Sequence, residues 1–174
     1  IDSIELGVPA PVLRTIAEPA NVKAAPPSGY AAAFSGPYTI AAALLGGGGL
    51  GEWLDDFTDE AAHRDERTTL AGKVRCVADE RATEIFPHPF PARLTVRLVN
   101  GEELTHRVDV NRGGPGNPLS DAELTHKFLL GATRVLSDER AQRLGELILD
   151  LPDGGRADEV MTVAVAEGAT VAPR

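Results

Sequence analysis

From Arg93 to Val99 every second residue is apolar, with Leu94, Val96 and Leu98 on one side. Asn100-Gly101 follows, two residues that tolerate positive φ, and Leu104, Val108 and Val110 continue the apolar pattern. A period of two broken by Asn-Gly specifies a β-hairpin with a tight two-residue turn. Few other architectures accommodate such a segment, so the chain must build an antiparallel pair and cover one side of it. Ile4, Leu6 and Val8 predict a first strand over about residues 2–8. Val74, Cys76 and Ala78 predict another over 73–78. Together they suggest a sheet of about four strands.

Helical signals fill the gaps. Pro9 and Pro11 open a short helix near Val12–Ala17, and a Pro- and Ala-rich loop covers 19–29. Tyr30 to Leu45 reads as a helix started or interrupted at Gly36-Pro37 and ended by Gly46 to Gly49. Thr58 caps the next helix, with Asp59 and Glu60 at its positive end, and that helix runs to about Ala71. The Pro87–Pro91 segment suits no regular element. Ser120-Asp121-Ala122-Glu123 is a capping box for a helix with a Leu124, Phe128, Ala132 and Val135 stripe. Ser137 opens another, with Ala141, Leu144, Ile148 and Leu151 inward. Pro152 to Gly155 ends it, and the tail, with Val160, Met161, Val163 and Val165, reads as a short helix or a strand. The expected fold is α+β: a two-layer sandwich, an antiparallel sheet of about four strands with helices on one face. One domain over 1–155 with a tail over 156–174 is the expected organisation.

A net charge of −9 and a pI near 4.9 argue against nucleic acid and anionic membranes as partners, since phosphate binding needs clustered Lys and Arg. One cysteine, Cys76, excludes an internal disulfide framework, and its strand-like setting suits a small buried hydrophobe. Neither a signal peptide nor a run of apolar residues of membrane-spanning length is visible. A cytoplasmic setting is the expectation, and the start at Ile1 suggests an excised or processed piece.

Chemistry-bearing patterns are sparse. Gly46, Gly48 and Gly51 satisfy G-x-G-x-x-G. A dinucleotide loop must follow a strand and open a helix, however, and here the glycines end a helix beside Glu52, Asp55 and Asp56. His63, His88, His106 and His126 form no i, i+4 pair with His or Cys, so zinc spacing is absent. His106 falls on the hairpin's apolar face and reads as a hydrogen-bonded core residue. No nucleophile elbow is present. Tyr38 can donate a proton or hydrogen bond at neutral pH; a structural tyrosine at a helix start is the plainer reading. Arg112, in a glycine loop, could clamp a carboxylate, or be an ordinary exposed arginine.

Two blocks stand out in combination. Phe34-Ser35-Gly36-Pro37-Tyr38 runs into the Ala/Leu helix Thr39–Gly46. Arg112-Gly113-Gly114-Pro115-Gly116-Asn117-Pro118-Leu119-Ser120 is followed by Glu123 and Lys127-Phe128. In this order, from about Ile4 to about Leu151, the chain resembles the C-terminal part of the MmgE/PrpD family, which includes 2-methylcitrate dehydratases and cis-aconitate decarboxylases. Gly46-Gly47 departs from the Asp-Gly frequent in relatives. The resemblance implies a lid domain of a lyase for small di- or tricarboxylates, with no metal or organic cofactor. Its partner would be an N-terminal helical domain, absent here, in the same or a separate chain. It also implies a catalytic role for Tyr38 and substrate binding by Arg112 and Ser35. The isolated chain would then be inactive. The alternatives are a non-catalytic α+β module that binds a ligand or protein, and one subunit of a split enzyme. A domain shaped to pack on a partner should expose an apolar patch; a free-standing module should not.

Overall fold

The hairpin forms where the alternation puts it, in a computed structural model that describes residues 1–46 and 51–165. Strands β1 (Ser3–Val8), β2 (Val74–Ala78), β3 (Ala92–Arg97) and β4 (Glu103–Val108) make one sheet, ordered β2-β1-β3-β4. The last paired residues of the hairpin are Arg97 and Glu103, and Leu98 N–H donates to Glu102 C=O. The loop therefore holds three residues, Val99, Asn100 and Gly101, with only Gly101 at positive φ (87°). This corrects the two-residue turn. A three-residue loop with a left-handed third position suits the twist equally well and places glycine where a Cβ would be strained.

β1 pairs antiparallel with β3 but parallel with β2, so the sheet is mixed, not antiparallel throughout. The cause is the connection: parallel neighbours need a long crossover, and the helical segment between β1 and β2 supplies it. That crossover holds α1 (Leu13–Ile16), α2 (Ala20–Ala24), α3 (Gly29–Ala32), α4 (Gly36–Leu45), α5 (Asp59–Ala62) and α6 (Asp65–Ala71). The helix expected over Tyr30–Leu45 is two helices, each with its own serine cap, Ser28 and Ser35. The one expected from Thr58 to Ala71 breaks at His63-Arg64, although Thr58 caps α5 as expected. Gly47 to Gly49 of the glycine run, with Leu50, lie outside the described residues. An unanticipated helix, α7 (Glu80–Ile85), follows β2 and is capped by Asp79.

Ile4, Leu6 and Val8 of β1 are buried. α1 and α4 pack on β2, and α7 packs on β1. Ala32, Tyr38, Ala42 and Ala62 form a core cluster, with Phe57 against it. Alanines at these positions let helices approach closely. β4 lies at the far edge of the sheet from β2. His106, paired with Leu94, is consequently exposed instead of being a core residue. Leu104 is also exposed.

The chain divides into two compact units, residues 1–118 and 119–174. The second unit is helical: α8 (Asp121–Ala132), α9 (Asp138–Asp150) and α10 (Ala157–Ala164). The Ser120–Glu123 capping box forms as expected. Leu136, Ala141 and Leu144 make its core, joined by Phe128, Leu129, Ala132, Val160 and Val163. Leu147 is buried where Ile148 was expected, and Leu124, Val135 and Ile148 are exposed.

Candidate functional site

Tyr38 enters the core because of what precedes it. Ser35 ends the turn after α3, and its hydroxyl accepts from Tyr38 N–H (3.0 Å) while donating to Lys23 C=O (2.5 Å). Pro37 fits the first turn of α4. The start of α4 is thus fixed, and the Tyr38 ring points inward with 0% of the residue exposed. Its hydroxyl donates to Asp56 C=O (2.5 Å) and accepts from Arg67 Nη1 (3.1 Å). Phe57 packs on the ring at 6.0 Å between centroids.

Arg67 and Asp56 complete this network. Arg67 Nη1 also donates to Asp56 C=O (3.1 Å), and Nη2 pairs with the Asp56 carboxylate. The other carboxylate oxygen accepts from Trp53 N–H (2.7 Å). Burial alone would lower the arginine pKa, but hydrogen bonds to Tyr38 and Asp56 outweigh it and hold the guanidinium above its ordinary value. Arg67 Nε is buried without a hydrogen-bond partner. The network ties α4 and α6 to the Leu54–Phe57 turn.

Ser35 and Tyr38 therefore sit together, the one capping α4 and the other packed in the core cluster. Arg112 lies elsewhere, exposed in the loop after β4. That loop is shaped by Gly113 at positive φ and by Asn117. Gly113 N–H donates to Asn117 C=O (2.8 Å), and Asn117 Nδ2 donates to Val110 C=O (2.9 Å).

A second cluster escaped the sequence reading. Glu5, Arg93, Thr95, Thr105 and Arg107 occupy the sheet face opposite Ile4 and Leu6, by strand alternation and register. Arg107 makes a two-pronged contact with Asp79 (3.0 and 2.7 Å), and Arg93 Nε donates to Asp79 Oδ2 (3.0 Å). Arg93 also reaches Glu5 (2.9 Å) and Thr95 (2.9 Å). Ala82 N–H donates to Asp79 Oδ1 (2.9 Å). Four donors fill the roughly four lone-pair positions of a carboxylate, so Asp79 has no lone pair left for a metal and stays ionised near neutral pH. Hydrogen bonds from Arg107 first, against an opposing burial effect and reinforced by Ala82 and Arg93, hold its carboxyl well below the usual carboxylate range. In the sequence only the placement of Arg93 and Arg107 on the side of the hairpin opposite its apolar residues could have signalled this cluster.

The remaining residues add little reactive chemistry. Cys76 is half-buried, and burial pushes its thiol up to about 11. His63 bonds to Asp59 C=O (2.6 Å) on the surface. Among the described residues, no group of three His, Cys, Asp or Glu is disposed to hold a metal, and no helix is long and apolar enough to cross a membrane. In the second unit, Leu124, Phe128, Leu129, Ile148 and Leu149 line an apolar groove of about 440 Å³ between α8 and α9.

A family model described as the MmgE/PrpD C-terminal domain matches residues 1–153. No curated protein matches the chain.

Proposed function

The chain belongs to the MmgE/PrpD family, matching it as the C-terminal domain, and from that premise we propose that it is the lid half of a two-domain lyase for small di- or tricarboxylates. The match over residues 1–153 is the observation that carries this reading. It favours a domain that works against a partner over a free-standing binding module. Removing a proton beside a carboxylate, or losing CO2, builds negative charge on an anionic substrate, and a dry site lined with fixed donors is needed to stabilise it. An N-terminal helical domain supplies the acid–base groups, and this chain closes over them.

In this reading Tyr38 acts at a distance: it sets where α4 and the Leu54–Phe57 turn stand. Ser35 serves as the cap of that helix. Arg112, an exposed residue of the loop after β4, is the candidate to meet a substrate carboxylate. The chain alone should be silent towards 2-methylcitrate and cis-aconitate, and turnover should appear only with the N-terminal domain present. Dehydration or decarboxylation by the isolated chain would refute the division of labour. Arg112→Ala in the two-domain protein should raise KM more than it lowers kcat; an unchanged KM removes the carboxylate role.

A further inference from the structure

We propose that the α3–α4 segment, led by Tyr30 and Phe34, is the surface on which the N-terminal domain seats; this rests on the two-domain reading above. Tyr30 is 79% exposed and Phe34 45%, and their rings meet edge to face at 5.3 Å. Water is a poor neighbour for two such rings, and the segment around them is built without charge. From Ala24 to Gly51 there is no Asp, Glu, Lys, Arg or His, in a chain of which 25% is charged. Charge depletion with aromatic enrichment marks the centre of protein interfaces, where tyrosine is a frequent hot spot.

The pair is also held in place before any partner arrives. Gly29 presses on the chain after the Leu54–Phe57 turn so closely that a Cβ there would lie 1.9 Å from Phe57 O. Its N–H donates to Asp59 Oδ1 (2.8 Å), and Ser28 caps α3. Lys23 Nζ donates to Phe34 C=O (2.7 Å) and fixes the other end. A preformed aromatic contact loses little conformational entropy on binding.

Charge selects the occupant. A second copy would bring its own net −9 against this one, and an anionic membrane would be repelled in the same way. The fitting partner is a neutral, apolar protein surface with an acceptor for the Tyr30 hydroxyl. The family assignment as a C-terminal domain implies an N-terminal domain, and that domain is the occupant proposed.

Tyrosine nitration by tetranitromethane, mapped by peptide mass spectrometry, tests this in the chain alone and in the two-domain protein. Tyr30 should react about tenfold more slowly in the two-domain protein, as for a contact closed about nine-tenths of the time. Tyr38 should stay unmodified in both. Equal Tyr30 rates overturn the inference. So does protection in the chain alone that grows with its concentration, which would make the patch a self-contact. Tyr30→Ala combined with Phe34→Ala should split one melting transition of the two-domain protein into two; a single transition at the unsubstituted temperature overturns it as well. Protection is read without turnover. A protected Tyr30 in a protein lacking lyase activity would therefore remove the proposed activity and keep this contact, while an active enzyme with unprotected Tyr30 would do the reverse.

Discussion

Asp56 and Asp79 are both met by arginine, one inside the helical layer and one on the sheet face. Around Asp56 both side chains of the pair are 8% exposed, and a tyrosine hydroxyl and a backbone N–H complete the set. Around Asp79 the carboxylate is equally covered, but its two arginines are 27% and 31% exposed and water still reaches them. Burial changes what the same chemistry does. A sealed pair must stay complete, because removing one member strands a charge in a low-dielectric interior. A half-wet cluster can lose a member and rehydrate the rest. The first pins helix packing; the second clasps β1, β3 and β4 to the start of α7.

That contrast can be broken experimentally. Arg67→Ala should have the largest effect, about 3–5 kcal/mol of lost stability in urea unfolding, because Asp56 is left buried and unpaired. A loss below about 1 kcal/mol would mean the pair is hydrated in solution and the contrast is void. Tyr38→Phe should cost about 1–3 kcal/mol, since Asp56 C=O and Arg67 each lose a partner. In the two-domain protein, turnover per folded molecule should change little in this variant. A fall of several hundredfold at full stability would return the phenol to the chemistry.

Asp79→Asn should cost roughly 1–2 kcal/mol, less than Arg67→Ala because the arginines rehydrate. The pH dependence has a definite sign. The Asp79 carboxyl is depressed when folded, so its contribution is complete above the unfolded value near about 3.9 and is lost as pH falls below that toward the folded pKa. The stability gap between the parent and the Asn variant should be constant near neutrality and shrink only at acid pH. A gap that closes near pH 6 would rule out Asp79 as the titrating group. The smallest effect belongs to Arg97 and Glu103, an exposed cross-strand pair at 2.8 Å whose removal should stay within about 0.5 kcal/mol.

Much of the fold was legible because it is written in local chemistry. The hairpin, the Thr58 cap and the Ser120 capping box depend on neighbours within a few residues, and all three formed. The α+β class followed from alternation next to helical periodicity. The candidate site was less legible. Tyr38 reads either as a structural tyrosine at a helix start or as a proton or hydrogen-bond donor, and nothing within a few residues says which. Its burial depends on Arg67, which lies 29 residues on, and on the Asp56 carbonyl, 18 residues on. Local pattern also misled at His106, which has the right spacing for the apolar face but lies on an edge strand beyond the helical cover.

By itself the sequence determined the α+β class, most of the elements and the family. These are properties of short windows or of composition, where backbone preference and side-chain period act without reference to distant residues. Only the tertiary structure decided the parallel placement of β2, the sealing of the phenol behind an ion pair, and the exposure of Tyr30 eight residues before it. Each of those depends on which distant segments meet, and the burial of whole layers settles that, not the preference of any one segment.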